Sequence, residues 1–397
     1  MAIYRNNDFD NLEQLMLGSF YTPDYFSWIK NAKVRDPLIK ISEEINEDLD
    51  FFEQVLKQYG CDVVRPNVIS VDEFREHYEQ GNGLLSPPLQ PRNKHAVIGN
   101  QLFEITTGTS EINSVLKKIA GDKYIDISKE NSEFYKSSMK SQMRSCYQQN
   151  TNTWYSRQKY NQLAGSDWPS FEMFIKDELG TQKEIIEEIN EFRSDMIYNN
   201  KDLGPIEGPN ILFCNDEVIV DTNEYCDYET WLSQYLPDRR IRKINTGGGH
   251  TDGCFSVLNN HCIIGIDPLI DYSTDFPNHN VIPIPFNNYQ DILNKHLVDF
   301  KNCHYDRWWV SGEEGNNAFV QFVDKYLTEW TGFVSETYFD VNVLSLNPNL
   351  VVIPNTNSDV PEKLKKQGID SIVVPWRHRF FVDGGLHCIT LDLRRQK

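Results

Sequence analysis

One thiol near the end of the chain has the surroundings expected of a nucleophile. Cys388 follows the glycines Gly384 and Gly385, and the alternating residues after it predict a β-strand that begins at the thiol. The glycines permit a tight turn and allow a ligand to approach the backbone closely. A free cysteine is more often a small core residue than a nucleophile, so the position of Cys388 alone does not establish its chemistry.

Two further glycine-containing stretches carry groups that can work with a thiol. Residues 247–253 present His250 and, two positions later, Asp252, whereas residues 206–213 present Glu207. A thiol, a positioned base and acids that hold a cation are the components of covalent catalysis by cysteine. Each group also has a simpler alternative: Asp252 can cap a turn, Glu207 can be an ordinary loop residue, and a histidine after glycines is usually exposed.

These three stretches resemble motifs of the guanidine-modifying superfamily, whose pentein fold is a five-bladed α/β propeller. The best match is its amidinotransferase branch, which includes arginine:glycine, inosamine-phosphate and cyanotoxin-pathway amidinotransferases. The most specific signal is Gly-Gly-Leu-His-Cys-Ile-Thr at residues 384–390, followed by Asp-Leu-Arg-Arg at residues 392–395. His-Thr-Asp at residues 250–252 is moderately specific, and Glu-Gly-Pro-Asn at residues 207–210 is weak alone. Their order and wide spacing make the combination persuasive.

The resemblance assigns roles to these residues. In the family, the residues that match Cys388, His250 and Glu207 form the catalytic set, and the acid that matches Asp252 contacts the substrate. A guanidinium is planar and resists nucleophiles, so an enzyme must supply a strong nucleophile and hold the cation. Cys388 would attack the guanidinium carbon while Glu207 and Asp252 hold the nitrogens. His250 would protonate the departing amine and then deprotonate an incoming amine or a water.

Four further positions concern how the substrate is held. Arg92 and Asn93 lie in a segment that usually reads Pro-Arg-Asp in the family, where the Asp helps to bind the guanidinium. The neutral amide of Asn93 accepts a hydrogen bond but holds a cation less tightly. Asn342 fits the amidinotransferase pattern, but Asp340 stands where those enzymes have a small polar residue. The predicted substrate-binding residues are Asp252, Asn93, Asp340, Asn342 and Arg92.

The far end of the substrate is predicted to differ from that of arginine. Arginine-using members of the family carry an arginine after the histidine hairpin, which binds the α-carboxylate of the donor. This chain has Asp-Pro-Leu at residues 267–269 in the corresponding place. The loss of that cation and the gain of a carboxylate at Asp340 predict an amine, a sugar or a peptide instead of an ordinary amino-acid carboxylate.

A hairpin signature recurs four times along the chain. In each copy, two short apolar runs are joined by Asn, Asp or Gly, which tolerate the left-handed backbone of a tight turn. The copies span residues 95–105, 211–220, 254–265 and 343–353. Helix-like stretches follow the last three at residues 228–236, 289–300 and 360–367, and strands are predicted at residues 241–244 and 369–374.

The repetition of a hairpin, a helix and a strand indicates a repeat architecture rather than a doubly wound sheet. An ordinary α/β sheet stays open as the alternative. Residues 12–18 are predicted to be a strand, residues 41–59 a helix and residues 61–66 a strand, which is an α/β beginning. The pentein fold is built from such units around a central pocket, so the pattern and the resemblance agree on an α/β pentein propeller.

One segment does not show the hairpin. Residues 106–205 contain predicted helices at 110–119 and 181–196 and a polar, tyrosine-bearing stretch between them. We interpret this segment as a largely helical insertion at the edge of the pocket, with a solvated elaboration as the alternative. Because no long linker separates independent domains, residues 1–397 are predicted to form a single catalytic domain.

Composition narrows the classes of partner. The 397 residues carry a formal net charge of −19, which argues against nucleic acid and anionic membranes as partners. The chain shows neither a membrane span nor a signal peptide, and its eight cysteines form no CxxC pair, so we expect a reducing cytoplasm and no metal site. No phosphate loop or dinucleotide motif is present, so no cofactor is predicted.

The leading hypothesis is an amidinotransferase that moves an amidino group from arginine, or a related guanidine, to an amine acceptor. Its partners would be these two small molecules. A hydrolase on the same scaffold, a deiminase or dihydrolase, is the first alternative, since water can replace the amine. A non-catalytic binding protein that retains the pocket is the second. The sequence does not identify the oligomeric state, for which a homodimer is one alternative.

Overall fold

The computed structural model describes most of the chain outside three long segments. The described residues are 3–135, 137–138, 205–214, 217–222, 226–244, 246, 250–267, 271–285, 313, 315–327, 340–354 and 359–396. Within these ranges the strands form five sheets of three strands each. In every sheet the middle strand has one antiparallel and one parallel neighbour. Five sheets of one construction are what a five-bladed propeller requires.

Four sheets follow one another along the chain, each with a helix between its second and third strands. The second sheet contains β3 (His95–Ile98), β4 (Gln101–Glu104), helix α3 (Ser110–Ala120) and β5 (Tyr124–Asp126). The third contains β6 (Ile211–Cys214), β7 (Glu217–Asp221), α4 (Tyr228–Ser233) and β8 (Arg240–Ile244). The fourth contains β9 (Phe255–Asn259), β10 (Cys262–Asp267), α5 (Tyr272–Asp275) and β11 (Asn280–Pro285). The fifth contains β12 (Leu344–Asn347), β13 (Leu350–Pro354), α7 (Val360–Lys366) and β14 (Asp370–Val374).

The remaining sheet joins the two ends of the chain. Its middle strand β1 (Leu12–Leu17) pairs antiparallel with β15 (Thr390–Arg395) and parallel with β2 (Asp62–Val64). Helix α1 (Ala32–Gln58) connects β1 to β2. In this sheet β15 therefore takes the place that the first hairpin strand takes in the other four. Three further helices are α2 (Val71–Glu79), α6 (Asn317–Tyr326) and α8 (Arg379–Val382).

Strands β3 and β6 are nearly continuous apolar runs, as expected of strands that are covered on both faces. Every residue of β3 and of β6 is buried. Helix α1 turns one apolar stripe inward, and Ile41, Ile45 and Leu49 on it are fully buried. Of the helices in the described ranges, none is both long enough and apolar enough to cross a bilayer.

All four predicted hairpins are confirmed, as are the strands at the start of the chain. Helix α1 begins earlier than predicted, at Ala32 instead of residue 41, because the side chain of Asn31 caps it by accepting a hydrogen bond from the backbone N–H of Lys33 at 3.1 Å. The predicted helices at 181–196 and 289–300 lie outside the described residues. In the fourth sheet the short helix α5 precedes the third strand.

The predicted insertion needs a correction at its first end. Helix α3 and strand β5 lie within residues 106–205, but they complete the second sheet and belong to the repeat. An insertion can therefore begin only after β5. Most of the remainder of the predicted segment lies outside the described residues.

Candidate active site

The candidate site is formed by the five segments that lead into the first strand of each sheet. Three of them are short 3₁₀ turns, Pro91–Asn93 before β3, Gly208–Asn210 before β6 and Thr251–Gly253 before β9. The turn at Gly208–Asn210 packs against both of the others. Gly208 permits this contact, since a Cβ there would lie 1.9 Å from the carbonyl oxygen of Arg92. Asn93, Glu207 and Asp252 are thereby brought together from three sheets.

The other two segments hold the thiol. Cys388 lies in the turn before β15, and Asn342 lies just before β12. The Asn342 side-chain oxygen accepts hydrogen bonds from the backbone N–H of His387 at 2.8 Å and of Cys388 at 3.3 Å. Its nitrogen donates to Cys388 Sγ at 3.0 Å and to the carbonyl oxygen of Asp252 at 3.1 Å. One amide therefore ties together the thiol, its backbone and the turn of Asp252.

The two glycines before the thiol are required by close packing. A Cβ on Gly385 would lie 2.4 Å from the side-chain oxygen of Asn342, and one on Gly384 would lie 2.5 Å from the side-chain nitrogen of Gln90. The strand that follows begins at Thr390, two residues later than predicted, so Cys388 belongs to the turn. In a strand, successive side chains point to opposite faces. In this turn they need not, so His387 and Cys388 can both contact Asp252.

Asp252 is the carboxylate beside the thiol. It is fully buried, and its Oδ2 lies 3.5 Å from Cys388 Sγ and 2.8 Å from His387 Nδ1. Burial alone would raise the pKa of Asp252, but the hydrogen bond from His387 and the charges of His250 and Arg92 hold it below its ordinary value. Asp252 Oδ1 is buried and has no hydrogen-bond partner among the described residues. An ionised acceptor is thus left available next to the thiol.

His250 pairs with a carboxylate from the neighbouring turn. Its Nε2 lies 2.8 Å from Glu207 Oε2, while Glu207 Oε1 accepts from the Lys94 ammonium at 2.5 Å. Burial would raise the pKa of Glu207, but the hydrogen bond from His250 and the charge of Lys94 lower it to about 2. Because both oxygens are engaged, Glu207 orients His250 in this state. For Glu207 to contact a guanidinium, as predicted, one of its two carboxylate oxygens would have to accept a second hydrogen bond.

Asn93 presents a second buried acceptor. The Gln90 side-chain nitrogen donates to the carbonyl oxygens of Val382 at 2.8 Å and Asp383 at 3.2 Å, which fixes the orientation of that amide. Gln90 Oε1 consequently accepts from Asn93 Nδ2 at 2.5 Å. Asn93 Oδ1 is left buried with no hydrogen-bond partner in the described part of the chain.

The prediction that Arg92 contacts the substrate is corrected by its surroundings. Its guanidinium is fully buried and donates to the carbonyl oxygens of His387 and Thr390, each at 3.0 Å, and to Asp392 Oδ1 at 3.1 Å. Arg92 is therefore a structural support beneath the turn of Cys388. Burial would raise the pKa of Asp392, but the charges of Arg395, Arg92 and Arg5 hold it well below its ordinary value.

Asp340 lies half-buried two residues before Asn342. It interacts electrostatically with Arg379, a cation for which the sequence motifs gave no signal. Burial lowers the pKa of Arg379, and the charge of Asp340 opposes that shift. Of the segment at 267–269, only Asp267 lies within the described residues. In the described ranges, no group of three or more His, Cys, Asp or Glu side chains is arranged to hold a metal ion.

Sequence reasoning missed the roles of three residues around this site. Lys94 directly follows Asn93 in a motif that was singled out, but its partner Glu207 is 113 positions away. His387 lies in the most specific motif, directly before Cys388, but its partner Asp252 is 135 positions away. Gln90 had no signal beyond its place next to the Pro-Arg pair.

The fold is shared with solved amidinotransferases. SxtG from Microseira wollei, of the saxitoxin biosynthetic pathway, has a TM-score of 0.55 at 14% identity, and the match covers 100% of this chain and 98% of that one. The inosamine-phosphate amidinotransferase StrB1 from Streptomyces griseus has a TM-score of 0.54 at 11% identity, covering 100% and 97%. The chain thus has the pentein fold. At these identities the comparison establishes the fold, and the activity must be argued from the site.

Sequence comparison adds one short match. Mitochondrial glycine amidinotransferase from Xenopus tropicalis is 33% identical over 64 residues, which are 16% of this chain and 15% of that protein. No family profile matches the chain.

Proposed function

We propose that the protein is an amidinotransferase that acts through a covalent amidino-cysteine intermediate on Cys388. The observation that carries the proposal is the contact of Cys388 Sγ with the buried carboxylate of Asp252 at 3.5 Å. Asp252 Oδ1 and Asn93 Oδ1 are both buried acceptors that lack a donor. Buried acceptors without partners are costly, and the N–H groups of a planar guanidinium would satisfy them.

The electrostatics suit a thiol that becomes reactive only when the substrate binds. An ionised Asp252 beside Cys388 disfavours the thiolate in the free protein. A guanidinium bound between them supplies the positive charge that stabilises both anions. Asn342 Nδ2, 3.0 Å from Sγ, donates a hydrogen bond that favours the thiolate further. The reaction would then be selective for cationic substrates.

The chemistry divides into two transfers. Sγ forms a bond to the guanidinium carbon, the carbon–nitrogen bond of the leaving amine breaks, and His250 delivers to that nitrogen the proton given up by the thiol. The acceptor amine then attacks the amidino carbon and loses a proton to His250. The carbon–sulfur bond breaks, and the thiol takes its proton back. Glu207 holds His250 Nε2 throughout, so that Nδ1 is the nitrogen that moves protons.

Transfer is proposed over hydrolysis because SxtG and StrB1, which cover the whole chain, are amidinotransferases. A small-molecule guanidine donor and an amine acceptor are the proposed partners. The site draws on all five sheets, which supports a single catalytic domain. The described cysteines are free thiols, in keeping with a reducing compartment such as the cytoplasm.

Incubation with arginine tests the proposal. Without an acceptor we expect at most one ornithine per enzyme, from formation of the amidino-cysteine. Added amine acceptor should give continued release of ornithine together with the amidinated acceptor, and Cys388→Ser should abolish both. Cys262→Ser serves as the matched thiol control, because Cys262 is a buried core residue of β10. Citrulline and ammonia would instead identify a hydrolase. If Cys388 reacts with a chloroacetamidine probe no faster than the other thiols, a non-catalytic binding protein becomes the better account.

A further inference from the structure

His387 is held rigidly at the centre of the candidate site. Its backbone N–H donates to Asn342 Oδ1 at 2.8 Å, and its carbonyl oxygen accepts from Arg92 Nε at 3.0 Å. Its imidazole Nδ1 lies 2.8 Å from Asp252 Oδ2. The ring is nearly enclosed, with 9% of the side chain exposed. A backbone fixed on both sides leaves the imidazole little freedom to turn away from Asp252.

The charge state of His387 follows from the groups around it. Burial and the positive charge of Arg92 lower the pKa of His387, and the carboxylates of Asp252 and Asp392 only partly oppose this effect. The ring is therefore neutral near pH 7. Since a carboxylate can only accept, the neutral ring must carry its proton on Nδ1 and donate it to Asp252.

This hydrogen bond decides which oxygen of Asp252 faces which partner. Oδ2 is occupied by His387 and lies beside Cys388 Sγ, so Oδ1 is the oxygen left for another donor. A buried carboxylate that lost its donor would tend to take up a proton, because burial disfavours the charged form. A protonated Asp252 could no longer accept hydrogen bonds from the guanidinium N–H groups and from the thiol at the same time.

We propose that His387 is a positioning residue that holds the Asp252 carboxylate with Oδ2 beside the thiol and Oδ1 directed at the guanidinium. The proposal rests on the proposed function of the site. His387 does not touch the reacting atoms. It acts through Asp252, and it does so as a neutral donor rather than as a base.

Two variants separate the hydrogen bond from the bulk of the ring. Asparagine can place its side-chain nitrogen where Nδ1 stands, whereas leucine fills similar space without a donor. His387→Leu is expected to lower kcat/KM for the donor by about 10- to 100-fold, the range of one hydrogen bond to a charged group. The acid limb of its pH profile is expected to move to higher pH, because Asp252 becomes easier to protonate. His387→Asn is expected to recover most of the loss.

The proposal fails if His387→Asn is as impaired as His387→Leu while both variants fold with the wild-type melting temperature. A second measurement does not depend on turnover. In ¹⁵N-histidine-labelled protein, the signal that disappears in His387→Asn should show a neutral ring protonated on Nδ1 at pH 7, with a titration at lower pH than that of an ordinary histidine. A ring protonated on Nε2, or one that titrates near its ordinary pKa, would overturn the proposal. An inactive wild-type protein would refute the proposed function and leave the nitrogen signal unchanged, so the two failures can be told apart.

Discussion

Asn342 and Cys388 are joined by hydrogen bonds in both directions. The amide nitrogen of Asn342 donates to Sγ at 3.0 Å, and its oxygen accepts from the backbone N–H of Cys388 at 3.3 Å. The segments that carry them lead into different sheets. Because the Asn342 nitrogen also donates to the carbonyl oxygen of Asp252, these bonds fix the sulfur relative to the turn of Asp252. A donor at this distance stabilises a thiolate more than a thiol.

Replacement of Asn342 by Asp should therefore raise the pKa of the Cys388 thiol. The substitution removes the donor and adds a negative charge next to the sulfur, and a change of about 1 pKa unit or more is expected. The measurement is the rate of iodoacetamide labelling of Cys388 against pH, read by mass spectrometry. Cys262, whose pKa burial raises to about 11, provides an internal control in the same spectra. An unchanged profile for Cys388 would show that the amide does not stabilise the thiolate.

Lys94 and Glu207 lead to a prediction on substrate affinity. The Lys94 ammonium occupies Glu207 Oε1 and adds a positive charge to a site that is proposed to bind a cation. Lys94→Met should therefore bind guanidines more tightly, by about fivefold or more, since one unit charge a few ångströms away contributes at least about 1 kcal/mol. Calorimetry of arginine binding in a Cys388→Ser background measures this without turnover.

Lys129→Met is the matched control for this change, because Lys129 forms an exposed ion pair with Glu133 at 3.8 Å, and such pairs contribute little. Weaker binding in Lys94→Met would mean that Lys94 itself contacts the guanidine. That result would contradict the prediction that the positive charge of Lys94 weakens the binding of a cation.

Much of the fold could be predicted because its signals are local. Each hairpin is specified by apolar runs and a turn within a dozen residues, as between β3 and β4. The antiparallel pairing of β1 with β15 carries no such signal, since it depends on closing the whole ring. The candidate site follows the same rule. Cys388, His250 and Asp252 could be predicted because each lies in a local glycine-rich motif.

The contacts that connect these motifs were not accessible from the sequence. The pair of Lys94 with Glu207 depends on two turns that pack together only in the folded chain. The contact of His387 with Asp252 could not be predicted, because a strand was expected to begin at Cys388, and neighbours in a strand point to opposite faces. In the turn, His387 and Cys388 both reach Asp252.

Asp392 should be important for stability. It is fully buried between Arg92 at 3.1 Å, Arg395 at 3.0 Å and Arg5 at 3.5 Å. Asp392→Asn leaves three buried cations without their shared anion, and removal of one partner from such a group costs about 3–5 kcal/mol. Urea unfolding at pH 7 measures the difference. Asp122→Asn, at an exposed position, is the control and should change stability by less than about 0.5 kcal/mol.

The pH dependence of this contribution has a defined sign. The folded-state pKa of Asp392 lies well below its unfolded value, so its stabilisation is complete above the unfolded value and is lost only as the pH falls through the folded one. The difference between wild-type protein and Asp392→Asn should therefore persist down to about pH 4. A difference that vanishes between pH 7 and pH 5 would contradict the ionised state of Asp392.

Asp340 and Arg379 give a prediction on substrate preference. The negative charge of Asp340 offsets the positive charge of Arg379. It would also repel a carboxylate at the far end of the substrate. Asp340→Ser should thus favour arginine over agmatine, which lacks the carboxylate, by about tenfold in the ratio of kcat/KM values, or about 1.4 kcal/mol. Asp340→Asn, which removes the charge but keeps the size, should shift the ratio in the same direction. If neither variant changes the ratio, Asp340 does not face the substrate, and the prediction of an unusual far end loses its main support.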